Sequence, residues 1–242
     1  MDRIEIKSKV VRLKRELNLP TCYGDERTLR MALEKSGFFL FFYPFGRESI
    51  SGACYRFGEI KIIIVNSSQS IGRQHFTMCH ELGHVILEHG NILDIKGEMP
   101  TSKVEREADL FAVEFLLPEE CLFEFINTKK KLGFLDILEI SQRFRVSYEY
   151  ALNRVKELLP RKRVEHLQNN IKVTEWAQKL GYDEKLYLPT EEVYFSNTHY
   201  IKLALEALEK EKISVGKFME LMDDIEIDGY GVLRELRGEG EK

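Results

Sequence analysis

The chain has 242 residues, 43% of them hydrophobic and 31% charged, which is the composition of a globular protein large enough to bury a sizeable core. Its 36 basic and 40 acidic side chains leave a formal net charge of −4, which argues against a protein that works mainly by coating nucleic acid. The four cysteines, Cys22, Cys54, Cys79 and Cys121, form no C-x-x-C pair and fit free thiols in a reducing cytosol, and no apolar run reaches signal-peptide or membrane-spanning length, so the expectation is a cytoplasmic protein away from the membrane.

Residues 3–17 place Ile4, Val10, Val11, Leu13 and Leu17 at helical spacing among charges and predict an amphipathic helix that ends near Pro20. Asp25 can cap a second helix, which Ser36-Gly37 stops. Phe38–Tyr43, Ser49–Phe57 and Glu59–Asn66 are short, aromatic and β-branched, and Pro44-Phe45-Gly46 and Gly58 punctuate them, so the segment reads as a three-stranded meander. From Ser70 onward the pattern is almost wholly helical: Arg73–His89, Lys103–Leu117, Glu119–Lys130, Leu135–Phe144, Ser147–Leu159, Thr174–Leu180, Thr198–Lys210 and Ser214–Met222. The fold class expected is therefore α+β and mostly helical.

The chemistry lies in RQHFTMCHELGHVILEH, residues 73–89. His80 and His84, four apart on a helix, leave the same face at a separation that can grip one ion. With Glu81 they make H-E-x-x-H, the arrangement in which two imidazoles bind Zn²⁺ and the glutamate is general base toward the attacking water. The competing reading is a chance match with both histidines satisfied in a core. Against it stand Gly83, which costs a helix interior ~1 kcal/mol relative to alanine and so points to close approach by another element, and the flanking apolar residues, which would bury the polar cluster without a partner.

A catalytic zinc needs a third protein ligand. His89, five residues past His84, would point roughly 140° away from it on a continuing helix, and His75 also points off the face. Both read as surface histidines or as partners of the ligands. In EREADLFAVEFLLP, residues 105–118, Glu105, Ala108, Asp109, Ala112 and Leu116 share one face, whose alanines allow packing against Gly83. Glu105 is the ligand expected, Asp109 the acceptor for the outer N–H of a ligating histidine, and Glu107, about 160° round from Glu105, a solvated charge.

These residues carry a resemblance. Arg73 and Phe76-Thr77 before His80-Glu81-Leu82-Gly83-His84, then Glu105, Ala108-Asp109, Phe111-Ala112 and Leu116-Leu117-Pro118, resemble the ImmA/IrrE family of zinc metallopeptidases, as do Ser51-Gly52 and Ile64-Val65-Asn66. The match is specific over about residues 25–120. The family often has asparagine at the position of Asp109 and methionine at that of Leu117. The resemblance implies a gluzincin-like zinc endopeptidase with His80, His84 and Glu105 on the metal and Glu81 as base. It implies as substrate a helix-turn-helix transcriptional repressor, whose cleavage relieves repression of mobile-element or stress-response genes. Tyr43, Tyr55, Arg73 and His75 are all candidates for stabilising the oxyanion.

The expected organisation is a zincin-like domain at 1–130, a helix-turn-helix-like segment at 131–165 and a small acidic helical region at 166–242. Residues 190–242 alone carry a formal charge of −6. In the middle segment Arg154 and Lys156 are offset by Glu149 and Glu157, so direct DNA reading is not expected, and a role in docking a repressor or completing the fold is. The alternative to a peptidase is a non-proteolytic zinc-fold module that binds a repressor or DNA; the complete His80, Glu81, His84 and Glu105 set argues against it, since binding has no use for the base.

Overall fold

The computed structural model describes the chain apart from residues 91, 96–102, 128, 130, 168–171, 196, 226 and 237–242. It is α+β and mostly helical, in two compact units, Met1–Tyr194 and Phe195–Lys242. The first unit opens with α1 (Arg3–Glu16), whose N-terminus carries a reciprocal capping box between Asp2 and Glu5. Next comes α2 (Glu26–Lys35), capped by the Asp25 side chain. Three strands follow, β1 (Phe38–Tyr43), β2 (Ile50–Phe57) and β3 (Ile60–Asn66), then α3 (Ile71–Leu87), β4 (Ile92–Ile95), α4 (Lys103–Leu116) and α5 (Glu119–Ile126). The helices α6 (Phe134–Phe144), α7 (Tyr148–Leu158), α8 (Arg161–Val164) and α9 (Val173–Lys179) complete it, with a 3₁₀ turn at Glu184–Tyr187.

The sheet is not the expected meander. Its order is β4-β2-β3-β1, continued beyond β1 by the two-residue strand β5 that begins at Tyr194. β2 and β3 form the antiparallel hairpin across Gly58, but β1 runs parallel to β3, with Phe38 opposite Lys61 and Tyr43 opposite Asn66. Strand composition identified the three segments; it does not fix their order. β1 is nearly continuously apolar and buried, which suits a parallel position covered by α2, and the 44–49 loop must then pass β3 to reach β2. β4 follows α3 in a stretch for which no element was expected, and it pairs with β2 across a register shift between Ile50 and Gly52.

α3 lies against β2 and β3 on one side and against α4 on the other, so the helix bearing the motif is the centre of the core. Two glycines mark where the α6–α7 turn docks beside it. A Cβ on Gly72 would lie 2.5 Å from the Ser147 nitrogen, and one on Gly24 would lie 2.1 Å from the Arg143 carbonyl oxygen. Arg145, left-handed at φ 52°, seals the joint through a bidentate pair to Glu26 at 3.0 Å and a bond to Asp183 at 2.6 Å. Residues 134–158 are thus packed as part of the first unit.

The cysteine expectation is corrected: Cys22 and Cys121 form a disulfide, and Cys54 and Cys79 are buried thiols. The partners are 99 residues apart, so spacing could not reveal them; packing of α1 on α4 brings the loop after α1 to the start of α5. Among the described residues no helix is long and apolar enough to cross a membrane.

The second unit comprises α10 (Asn197–Glu209), α11 (Val215–Asp223) and α12 (Gly229–Leu236). Its small core is Ala204, Phe218, Met222 and Ile225, and the Ser214 side chain caps α11.

Candidate metal centre

Gly83 explains how two helices come close enough to share a site. A Cβ there would lie 3.1 Å from the Phe111 side chain, so α4 crosses α3 at the glycine with Phe111 against it. On α3, His80 and His84 then face the first turns of α4, where Glu105 and Asp109 stand one turn apart.

The structure brings His80, His84 and Glu105 together. His80 Nε2 lies 3.0 Å from His84 Nε2 and 3.2 Å from Glu105 Oε2, and His84 Nε2 is 3.4 Å from the same oxygen. Tetrahedral zinc with bonds of 2.0–2.1 Å sets its ligand atoms about 3.3–3.4 Å apart. The triangle has that size, and two imidazoles and a carboxylate are a donor set zinc accepts. The other ring nitrogens are also engaged. His80 Nδ1 donates to Asp109 Oδ1 at 2.9 Å, and His84 Nδ1 lies 3.0 Å from His89 Nδ1. Both contacts leave the Nε2 lone pairs aimed into the triangle.

The electrostatics favour a cation there. Burial alone would lower His80, but hydrogen bonds to Asp109 and Glu105 and the charge of Glu81 outweigh it and raise His80 to about 10. Burial and the charge of His80 push His84 down to about 4. Hydrogen bonding to His80 and the charges of both histidines hold Glu105 below the usual carboxylate range. His84 and Glu81 are fully buried and His80 nearly so, whereas the side chains of Glu105 and Asp109 are 23% and 39% exposed; the site opens on the α4 side.

β2 passes close over Glu81. A Cβ on Gly52 would lie 2.6 Å from Thr77 Cγ2 and 2.9 Å from Glu81 Oε1, so only glycine lets the strand pass this close. The register shift at Ile50/Gly52 falls at the same place.

Two sequence readings are corrected. Glu107 is not a solvated charge. Its side chain is 11% exposed, and its Oε2 accepts from His89 Nε2 at 3.1 Å. His89 does not point away from His84. The wheel extrapolation failed because α3 ends at Leu87 and Glu88 turns left-handed at φ 62°, folding His89 back beside His84. The left-handed residue is a glutamate, and the glycine that marks the turn, Gly90, comes two residues later. His75 is buried under the α6–α7 turn, its Nδ1 3.0 Å from the Arg145 carbonyl oxygen. Of the other oxyanion candidates, Tyr43 and Tyr55 are 46% and 55% exposed. The Arg73 guanidinium lies over the Phe76 ring at 5.9 Å, and that ring is 6.1 Å from His80.

Comparison with known proteins gives a concordant result. The family model Peptidase M78, described as the IrrE N-terminal-like domain, matches residues 33–156. The radiation response metalloprotease IrrE of Deinococcus radiodurans is 31% identical over 108 residues. That stretch is 42% of this chain and 33% of the relative, so the alignment spans about a third of the relative's length.

Proposed function

Since the chain belongs to the Peptidase M78 family, the IrrE N-terminal-like metallopeptidases, we propose that it is a zinc-dependent endopeptidase that cuts a helix-turn-helix transcriptional repressor at one site. The observation that carries the catalytic part is the closed triangle of His80 Nε2, His84 Nε2 and Glu105 Oε2 with Glu81 buried beside it. His80, His84 and Glu105 hold the ion, and Asp109 fixes the His80 ring. Bound zinc supplies a Lewis acid for the scissile carbonyl and acidifies the attacking water toward pH 7. Glu81 takes the proton of that water and passes it to the nitrogen of the departing amine. The β2 backbone at Gly52 keeps the Glu81 carboxylate in one position while it does so.

The repressor substrate rests on the sequence resemblance. The relative's printed name, a radiation response metalloprotease, accords with a stress-linked role. Release from repression follows once the DNA-binding part of the substrate is separated from the rest.

The test uses zinc-loaded wild type and Glu81→Gln, each incubated with a helix-turn-helix repressor encoded beside the chain and followed by intact-mass analysis. The amide is nearly isosteric and cannot accept the proton. A single cut by wild type, slowed by at least ~10²–10⁴-fold in Glu81→Gln with zinc content unchanged, is expected. If both forms bind the repressor and relieve repression equally while leaving it intact, the protein is a zinc-fold binding module instead.

A further inference from the structure

His84 is the most deeply buried of the three proposed ligands, and what supports it lies outside the motif. Its outer nitrogen, Nδ1, meets His89 Nδ1 at 3.0 Å, and His89 Nε2 meets Glu107 Oε2 at 3.1 Å. The tautomers are fixed by the ends of this chain. Glu107 can only accept, so His89 carries its proton on Nε2 and offers a lone pair at Nδ1. His84 must then carry its proton on Nδ1, which leaves the Nε2 lone pair for the metal. On its other side the carboxylate contacts the amine of Met1 and lies 3.6 Å from Lys103 Nζ. Both side chains are largely out of solvent, His89 6% and Glu107 11% exposed.

We propose that His89 and Glu107 are positioning residues, a two-step hydrogen-bond relay that locks the tautomer and ring plane of His84 and so sets the affinity and geometry of the metal site. This rests on the reading of His80, His84 and Glu105 as zinc ligands. Neither residue touches the ion. The two histidine ligands are supported differently: His80 leans directly on a carboxylate, Asp109, whereas His84 reaches its carboxylate through an intervening imidazole. Partners of this kind typically change metal affinity 10–100-fold when removed.

The experiment measures zinc affinity by competition with a chromogenic chelator, and the visible spectrum of the Co²⁺-substituted protein, in wild type, His89→Leu, His89→Gln, Glu107→Ala and the double variant His89→Leu/Glu107→Ala. His89→Leu should bind zinc about 10–100-fold more weakly and shift the Co²⁺ bands. His89→Gln, whose side-chain oxygen can accept the same N–H, should recover most of the affinity. Glu107→Ala should weaken binding in the same direction. The double variant should be no worse than His89→Leu, because Glu107 acts only through His89. Melting of the metal-free proteins separates this role from general destabilisation, since the Leu and Gln variants should melt alike while differing in affinity. Zinc affinity in His89→Leu within twofold of wild type, equal loss in His89→Leu and His89→Gln, or independent losses in the double variant would each overturn the relay. Wild type that takes up no zinc, or His80→Ala that takes up a full equivalent, would overturn the metal-site reading itself.

Discussion

The Arg154 guanidinium lies 3.1 Å from Glu114, with the two side chains 1% and 3% exposed, so the helix that looked most like a nucleic-acid reader is tied by its arginine to the interior of the peptidase core. Arg154 also donates to the Leu117 carbonyl at 3.3 Å and to Glu157 at 2.8 Å, and Arg3 reaches the same Glu114 oxygen at 2.7 Å. Arg154→Ala removes one of the two arginine partners of the buried Glu114, and the loss should be about 1.5–3 kcal/mol in urea unfolding. The exposed Lys162→Ala should change stability by less than ~0.5 kcal/mol. Nanomolar, sequence-specific duplex binding at physiological salt that Lys162 and its neighbours support would contradict this assignment of α7 to the fold.

Gly52→Ala should damage catalysis without emptying the metal site. The added methyl meets first Thr77, Glu81 and the Ile64 carbonyl oxygen, all within about 3 Å. Forcing it in should cost ~1–3 kcal/mol of stability and displace the Glu81 carboxylate. A shift of about 1 Å in a reacting group can cost ~10²-fold in turnover, so kcat should fall by about that much with zinc content still near one equivalent. A variant with wild-type kcat would show that β2 does not position the base.

His75 gives a pH signature separable from the metal site. Burial pushes it down to about 4, the bond to the Arg145 carbonyl opposing. In the unfolded chain it titrates near 6.5. Between these values the unfolded state binds a proton that the folded state refuses, so His75's contribution is complete above pH 6.5 and is lost as pH falls toward 4. The size is about 3 kcal/mol. Urea unfolding of wild type and His75→Phe in chelator, at pH 7.5 and 4.5, should show a smaller loss in the variant by roughly that amount; equal losses would remove the effect.

The Cys22–Cys121 crosslink predicts a thiol count. Protein denatured without reductant should expose two reactive thiols, Cys54 and Cys79, and four after reduction. Replacing both Cys22 and Cys121 by serine should lower stability by ~2–5 kcal/mol. Four thiols in never-reduced material would show that the pair is not joined.

The sequence by itself pointed to His80, His84 and Glu105 as one constellation, and the fold brings them together. Local helical geometry is enough to put His80 and His84 on one face, and the same periodicity on the next amphipathic helix put Glu105 and Asp109 one turn apart. Gly83 announced that something would cross there. Composition also identified the three strand segments. Tertiary structure decided everything that depends on non-local partners or on the end of a regular element. A helical wheel cannot follow the chain past Leu87, where one left-handed residue, Glu88, carries His89 back to His84. It likewise placed Glu107 in solvent because a wheel gives direction without saying what fills it. Strand composition does not encode order; β1 lies beside β3 with α2 packed on β1 and α3 on β3. Cys22 and Cys121 meet only because two helices far apart in the chain pack together. Periodicity is a property of neighbours in sequence; a hydrogen bond across 18 residues and a disulfide across 99 are properties of the folded core.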